Sequence, residues 1–212
     1  MSDVAANLAK FLLEIHAVKL NANTPFTWTS GLRSPIYCDN RMVLSYPQVR
    51  TFVKEQLAAL VKSRFADCTL LAGIATAGIA HGALVADLLE LPYCYVRPEP
   101  KKHGLKNQIE GYMPPGSKVV LVEDLISTGK SSLQAVQAVR EAGAEVAGLV
   151  ALFTYGFPDA TEKFKQESVP FYTLSHFEVL CETAVQYGYL EPDKLSIVQE
   201  FAADPTTWWK GS

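Results

Sequence analysis

Apolar residues recur at helical spacing at both ends of the first 65 residues, with short strand-like runs between them. From about residue 4 to 20 the spacing predicts one amphipathic helix. The stretch FTWTSGLRSPIYCDNR, residues 26–41, instead predicts two short strands around Ser30-Gly31, which favours a hairpin. Pro47 suits the first turn of a second helix, whose apolar spacing continues to about residue 65.

Short apolar runs and amphipathic helices then alternate as far as residue 155. The predicted strands cover residues 68–74, 92–97, 117–124 and 144–155, and the predicted helices cover 77–90 and 130–143, with a polar segment at 98–111. This alternation predicts an α/β fold, in which a central, mostly parallel sheet is flanked by helices. Ligands bind such folds beyond the carboxyl ends of the strands. Those ends are residues 74–78, 97–111 and 123–132.

Length and composition are those of one folded domain. The 212 residues are 49% apolar and 19% charged, and no repeat or low-complexity linker divides them. We therefore predict a single domain over residues 1–212, in which residues 1–45 form a helix and a small N-terminal hood over the rest.

Charge and hydropathy restrict the partners and the location of the chain. The net charge of −3 argues against a general nucleic-acid binder. No apolar run reaches the roughly 18 residues that indicate a membrane span. Asp3, Lys10 and Glu14 interrupt the apolar N-terminus, which predicts an amphipathic helix and not a signal peptide. These features predict a cytoplasmic protein without nucleic-acid or membrane partners.

Several familiar motifs are absent or incomplete. Gly129-Lys130-Ser131 resembles the end of a phosphate-binding P-loop, but that motif needs a glycine where this chain has Asp124. A GxGxxG dinucleotide fingerprint is absent too. The cysteines show no metal-ligand spacing and are each predicted to be small buried apolar residues: Cys38, Cys68, Cys94 and Cys181.

The stretch VVLVEDLISTGKSS, residues 119–132, combines a buried strand, two acids, a polar turn and the start of a helix. The turn amides at the positive end of the helix dipole suit a phosphate monoester. Hydroxyl donors surround them: Ser127, Thr128, Ser131 and Ser132. Glu123 and Asp124 would repel that anion, but they accept hydrogen bonds from neutral hydroxyls nearby. A ribose 5-phosphate satisfies both demands. The alternative is an acidic pair that only ends a strand and caps the next helix.

This stretch, called the signature segment below, resembles the signature of the type I phosphoribosyltransferases. Those enzymes take 5-phosphoribosyl 1-pyrophosphate (PRPP) with magnesium and transfer its ribose phosphate to a nitrogenous base. Three further motifs narrow the resemblance to the orotate phosphoribosyltransferase family. FTWTSGLRSPIYCDNR resembles the part of the hood that folds over the base. GIATAG (residues 73–78, the pyrophosphate turn) resembles the turn that binds pyrophosphate, and RPEPKKHG (residues 97–104, the basic loop) resembles the catalytic loop.

The resemblance implies an activity, a cofactor and an assembly. Orotate and PRPP would give orotidine 5′-monophosphate and pyrophosphate, a step of pyrimidine nucleotide (UMP) synthesis. The base nitrogen would attack C1 with inversion, through an oxocarbenium-like transition state. Mg²⁺ would be held mainly through PRPP, because no all-protein carboxylate cage is visible in the sequence. The family's catalytic loop reaches the neighbouring subunit, which implies a homodimer with shared active sites.

Site residues follow from the same resemblance, position by position. The catalytic residues would be Lys101, His103, Glu123 and Asp124. The PRPP-binding residues would be Thr76, Ala77, Arg97, Lys101, Lys102, His103, Glu123, Asp124, Leu125, Ile126, Ser127, Thr128, Gly129, Lys130 and Ser131. The orotate-binding residues would be Thr29, Tyr37, Cys38, Arg41 and Ser127. Cations and a protonatable histidine in the basic loop suit a leaving pyrophosphate, which gains negative charge as the C1–O bond breaks.

The chain departs from the family pattern at three positions. Thr29 stands where many members have a lysine, and Pro98 stands where many members have a second lysine. Many members also carry an orotate-binding arginine after the strand that follows the signature helix, but residues 151–160, ALFTYGFPDA, contain none. A different donor must then bind the orotate carboxylate, and the alternatives are Arg41, Arg33 and backbone amides.

Other interpretations stay open. Taken alone, the basic loop is typical of a solvated charged loop, and the pyrophosphate turn is typical of a tight contact between a strand and a helix. His81 is typical of a buried packing residue whose hydrogen bonds are satisfied. Trp208 and Trp209 are predicted to pack on the chain's own core, with burial in a dimer as the alternative. A phosphoribosyltransferase for a purine or uracil is one rival function, against which the hood argues. A non-catalytic PRPP-sensing regulator is another, but the basic loop and the lack of a basic helix-turn-helix pattern argue against it.

Overall fold

The computed structural model describes residues 2–28, 30–99 and 108–209. Its helices are α1 (Ser2–Glu14), α2 (Pro47–Arg64), α3 (Ala77–Leu89), α4 (Lys130–Glu141), α5 (Pro158–Gln166), α6 (Phe177–Gln186) and α7 (Leu195–Ala203), with short 3₁₀ helices at Asn40–Ser45 and Pro192–Lys194. Its strands are β1 (Val18–Leu20), β2 (Phe26–Thr27), β3 (Arg33–Ser34), β4 (Ile36–Cys38), β5 (Leu70–Ile74), β6 (Tyr93–Val96), β7 (Ile109–Glu110), β8 (Lys118–Ile126), β9 (Glu145–Thr154) and β10 (Phe171–His176). None of the helices in these ranges is long and apolar enough to cross a bilayer.

Six strands form the central sheet in the order β10-β9-β8-β5-β6-β7. Every neighbouring pair is parallel except β6 and β7, which are antiparallel. Because successive residues of a strand point to opposite faces, β8 contributes to two apolar cores. Val120 and Val122 pack in a core with α1, α2 and α6, whereas Val119 and Leu121 pack in a core with α4. The predicted α/β fold, with helices on both faces of a mostly parallel sheet, is confirmed.

The N-terminal region differs from the prediction of one helix over residues 4–20. Helix α1 ends at Glu14, and His16 adopts a left-handed backbone conformation with φ of 56°, which an α-helix does not accommodate. Val18 to Leu20 then pair antiparallel with β4. The apolar residues at 18 and 20 fit a strand as well as a helix, and the partner strand decides between them.

The hairpin predicted around Ser30-Gly31 is present, but its partners differ. Strand β2 pairs with β3, while the PIYC stretch forms β4 and pairs with β1. Gly31 makes the turn possible, because its φ of +84° lies in the region that glycine favours. Its amide donates to the Trp28 carbonyl oxygen at 2.8 Å.

Elements outside the predicted set complete the sheet. The end of the predicted polar segment forms β7, which pairs with β6 through Tyr95 opposite Glu110. Beyond residue 155, where the pattern predicted no elements, β10 extends the sheet and α6 and α7 cover it. Such short or terminal strands carry little local signal, because their pairing supplies most of their stability.

An aromatic cluster joins the C-terminus to the hood. The Phe201 ring of α7 lies 5.7 Å from the ring of Trp28 and 6.4 Å from that of Tyr155. Trp208 packs on Phe201 at 5.7 Å, and its Nε1 donates to the Ile197 carbonyl oxygen at 2.6 Å. The prediction that the C-terminal tryptophans pack on the chain's own core is confirmed for Trp208. Trp209 remains 38% exposed.

Candidate active site

Three segments predicted to bind ligands meet at the carboxyl edge of the sheet. Strands β6, β5 and β8 are neighbours and run parallel. Their carboxyl ends lead into Arg97, the pyrophosphate turn and the polar end of the signature segment. The strand order therefore brings together residues that lie far apart in the sequence.

The pyrophosphate turn is held against β8 by close backbone packing. A side chain on Gly78 would overlap the Val122 carbonyl oxygen and lie 3.3 Å from the Glu123 Cα. On the other side, the Ala75 amide donates to the Val96 carbonyl oxygen at 2.9 Å. The Ala75–Thr76 peptide bond is cis. The predicted contact residues thus stand beside the acidic pair, with Thr76 exposed and Ala77 half-buried.

The acidic pair lies inside β8, which continues to Ile126 instead of ending at residue 124. Glu123 is only 6% exposed, and its Oε1 accepts a hydrogen bond from the Asp124 amide at 3.0 Å. Burial, reinforced by the adjacent Asp124 carboxyl, raises the pKa of Glu123 well above its ordinary value. Asp124 is half-buried and is the more accessible of the two carboxylates.

The raised pKa of Glu123 predicts a pH-dependent stability. The folded protein keeps a proton that the unfolded chain releases once the pH exceeds the ordinary value of 4.5. The free energy of unfolding should therefore fall as the pH rises from that value through the folded pKa. Glu123→Gln should remove this loss, so urea unfolding between about pH 5 and 8 should show a growing advantage for the variant. Exposed Glu55 supplies the control, since Glu55→Gln should run parallel to the wild type. If the free energy of unfolding of Glu123→Gln also ran parallel to that of the wild type across this pH range, the raised pKa of Glu123 would be contradicted.

The hood docks on the signature segment through a buried amide that the sequence did not single out. Asn40 is 1% exposed, and its Nδ2 donates to the Asp124 carbonyl oxygen at 2.9 Å. The Cys38 thiol donates to Asn40 Oδ1 at 3.2 Å. Burial, with the charges of Asp124 and Asp39, raises the pKa of the Cys38 thiol. Its place in the polar stretch that follows the PIYC strand was the only sequence signal for Asn40.

The turn after β8 leaves a helix start open to an anion. Gly129 has φ of +74°, and no side chain caps α4, which begins at Lys130. The amides of its first turn therefore lack intrahelical partners and point towards any ligand bound there. Thr128, Lys130 and Ser131 are exposed, and Ser127 is half-buried. Ile126 is fully buried, and its carbonyl oxygen accepts from the Tyr155 amide and the Thr154 hydroxyl, so its predicted contact with PRPP stays a prediction.

Arg97 fixes the start of the basic loop at the same edge. Its amide donates to the Gln108 carbonyl oxygen at 2.8 Å, and its Nη1 lies 3.3 Å from Glu110 Oε1. The Arg97 end of the segment between β6 and β7 therefore lies beside the pyrophosphate turn, and Gln108 at the other end pairs with Arg97. The other predicted loop residues and one predicted base contact lie outside the described residues: Lys101, Lys102, His103 and Thr29.

The cations proposed to replace the missing arginine, Arg41 and Arg33, are both exposed on the hood. Arg41 forms two hydrogen bonds with Asp39, from Nε at 2.6 Å and from Nη2 at 2.8 Å. This pairing lowers the pKa of Asp39. Arg33 is exposed, and so is Tyr37, whose ring lies 6.0 Å from that of Phe26. The contact of Arg41 with orotate stays a prediction. Two of its nitrogens, Nε and Nη2, already donate to Asp39.

His81 is buried as predicted but is not satisfied. The side chain on α3 is 2% exposed, and its Nε2 has no hydrogen-bond partner in the described part of the chain. Burial lowers the pKa of His81, and the charge of Asp124 opposes that shift. The expectation of a satisfied packing residue was therefore wrong about its hydrogen bonding.

A cavity of about 510 Å³ lies between the hood, the turn after β8 and the C-terminal segment. Its walls include Trp28, Ser30, Ser127, Thr128 and Lys163. The volume lies in the usual range for small-molecule sites. Within the described residues, no three His, Cys, Asp or Glu side chains cluster in a way that could hold a metal ion.

Known proteins are similar to this chain in sequence and in fold. A family model described as "Phosphoribosyl transferase domain" matches residues 48–186. A Bacteroides fragilis protein named orotate phosphoribosyltransferase is 51% identical over 211 residues, covering 100% of both chains. A Bacillus subtilis protein of the same name is 50% identical over 205 residues, covering 96% of this chain and 95% of its own. The solved structure of orotate phosphoribosyltransferase from Aeropyrum pernix aligns with a TM-score of 0.76 at 30% identity, over 86% of this chain and 99% of that chain.

Proposed function

Because the chain belongs to the orotate phosphoribosyltransferase family, we propose that it transfers the phosphoribosyl group of PRPP to orotate, giving orotidine 5′-monophosphate and pyrophosphate. It acts in the cytoplasm in pyrimidine nucleotide synthesis, as one domain over residues 1–212 with residues 1–45 as the hood. One observation carries the proposal: an acidic pair lies in the strand that leads, through the turn at residues 127–129, into an uncapped helix start, and the hood docks on the same strand.

In this proposal, two kinds of group bind the ribose phosphate. The 5-phosphate binds the amides of the first turn of α4, with the hydroxyls of Thr128 and Ser131 beside them. Asp124, the more accessible acid, accepts hydrogen bonds from the ribose hydroxyls, and its charge favours the cation that develops at C1. Glu123, buried behind it, holds the Asp124 amide in place.

The leaving pyrophosphate is bound from two sides. Thr76 and Ala77 offer backbone groups of the pyrophosphate turn, which its small residues leave accessible. Arg97, Lys101, Lys102 and His103 supply positive charge and a proton donor from the basic loop. Loop closure over the pyrophosphate would exclude water from C1 and would favour attack by the base nitrogen.

Mg²⁺ fits this donor set as a partner of the substrate. Glu123 and Asp124 supply carboxylate oxygens, which Mg²⁺ prefers, but one of the two is buried. The remaining ligands would be oxygens of PRPP and water. When bound, the ion neutralises part of the pyrophosphate charge.

Orotate absorbance tests the function. The purified protein with PRPP and Mg²⁺ should consume orotate, whereas uracil, hypoxanthine and adenine should not be consumed. Consumption of a purine or uracil instead would point to a different base specificity. Binding of PRPP without consumption of any base would point to a PRPP-sensing regulator.

A mixture of two inactive variants tests the shared site of the proposed homodimer. Lys101→Ala removes a cation of the basic loop, and Asp124→Asn removes the charge beside the ribose. If the loop of one subunit serves its partner, unfolding and refolding the two variants together should restore about a quarter of wild-type activity through hybrid dimers. Each variant refolded alone is the control. No recovery in a mixture shown to contain hybrid dimers would contradict the shared site.

A further inference from the structure

Tyr155 lies between the hood and the signature segment, where the family pattern has its arginine. The residue follows β9 directly, and its amide donates to the Ile126 carbonyl oxygen at 3.2 Å. Ser127, which is predicted to contact both substrates, directly follows Ile126. On the other side, the Tyr155 ring lies 5.1 Å from that of Trp28 in the hood.

Aromatic packing gives the Tyr155 ring one position. The residue is 3% exposed, and its ring stacks on Phe157 at 5.4 Å with an interplanar angle of 19°. Three further rings contact it edge-on: Phe153, Phe177 and Phe201. A ring fixed in this way places its hydroxyl without further loss of side-chain entropy on binding.

The hydroxyl of Tyr155 makes no hydrogen bond in the described part of the chain, and its oxygen is not among the fully buried polar atoms that lack a partner there. The donor is therefore unpaired in the described residues without being sealed from a ligand. The hydroxyl of half-buried Tyr93, on β6, is paired by contrast, since it donates to the Ile79 carbonyl oxygen at 2.6 Å. Burial raises the pKa of Tyr155, and the Cys38 thiol and the Asp124 carboxyl raise it further. The group therefore keeps its proton and remains a donor at the edge of the site.

We propose that the Tyr155 hydroxyl donates a hydrogen bond to an oxygen of orotate and takes the place of the missing arginine. Orotate is an anion whose carboxylate and ring carbonyls are acceptors, so a preplaced donor without a protein partner suits it. Unlike an arginine, a neutral donor adds no positive charge near the Asp124 carboxylate, whose own charge is proposed to act on the ribose. This inference rests on the proposed function, because it names the contact that recognises the base.

Tyr155→Phe separates a binding role from a structural one. The variant keeps the ring and loses only the donor, so the KM for orotate should rise about tenfold or more, the loss expected for one hydrogen bond to a charged ligand. The KM for PRPP should change less than about twofold, which is within the scatter of neutral substitutions. The Tm should stay within a degree or two of the wild type, about the scatter of neutral substitutions, because Tyr155→Phe breaks no hydrogen bond of the described residues.

Two matched variants control for the loss of a phenolic hydroxyl. Tyr93→Phe breaks a part-buried hydrogen bond and should therefore lower the Tm. Tyr155→Phe breaks no hydrogen bond of the described residues and should not lower it. Tyr189→Phe, at an exposed position, should change neither the Tm nor the KM for orotate. Calorimetric binding of orotate to the wild type and to Tyr155→Phe supplies a readout besides activity.

The outcomes distinguish this inference from the proposed function. An active wild type, with unchanged orotate KM and affinity in Tyr155→Phe, overturns the role of Tyr155 and leaves the function intact. Equal rises in the KM values for orotate and PRPP also overturn it, because they indicate a general distortion of the site. A wild type that neither binds nor consumes orotate overturns the proposed function, and the inference with it.

Discussion

Asp124→Asn should lower kcat/KM for PRPP by about 10³-fold, the loss typical when one preorganised electrostatic contact to a transition state is removed. The asparagine keeps the shape of the side chain and the backbone carbonyl that accepts from Asn40. It removes the negative charge beside C1, where the ribose becomes cationic. Because that charge acts mainly in the transition state, kcat should fall more than the KM for PRPP rises.

The matched control for this charge is Asp87, which is exposed on α3. Asp87→Asn should leave kcat within about twofold of the wild type, as surface substitutions usually do. Steady-state kinetics and thermal unfolding of both variants make the comparison. A loss of less than about tenfold for Asp124→Asn, with an unchanged Tm, would show that its charge does not stabilise the transition state.

Gly78→Ala is expected to lower the free energy of unfolding by about 3 kcal/mol or more, at the upper end for overpacked positions. The added methyl would overlap the Val122 carbonyl oxygen, and backbone lies on both sides of the contact. Neither α3 nor β8 can then keep its place without moving the other. The pyrophosphate turn would shift relative to Glu123 and Asp124, so kcat/KM should also fall about 100-fold.

The control for Gly78→Ala lies on the same helix. Ala83 is exposed, so Ala83→Ser should change the free energy of unfolding by less than about 0.5 kcal/mol. Urea unfolding and PRPP titration measure both effects. Wild-type stability and PRPP affinity in Gly78→Ala would show that the contact between α3 and β8 tolerates a side chain.

Local patterns predicted the elements that carry the chemistry. Strands β5, β8 and β9 are continuous apolar runs because helices cover both faces of the sheet, and such runs stand out in a sequence. The acidic pair and the polar turn after it follow one of these runs, in β8, so the candidate site was visible in the sequence as polar residues at the end of a buried strand. The strand bounds were less accurate, and β8 extends past both acids.

Contacts between distant residues were not predictable in the same way. The bond from Asn40 to Asp124 joins residues 84 positions apart, and nothing near either residue signals it. Strand β1 forms only because β4 lies beside it. Tyr155 is an ordinary aromatic in the sequence, and its significance depends on its packing against Trp28 and the signature segment. That neither its hydroxyl nor Nε2 of His81 has a partner among the described residues is likewise visible only in three dimensions.

The products made by the wild-type protein test the central claim most directly. Mass spectrometry of a reaction with orotate, PRPP and Mg²⁺ would identify the nucleotide, and an enzymatic assay would count the pyrophosphate released. The account predicts one orotidine 5′-monophosphate and one pyrophosphate for each orotate consumed, with both lost in Asp124→Asn. Pyrophosphate released without the nucleotide, or no reaction although PRPP binds, would contradict it.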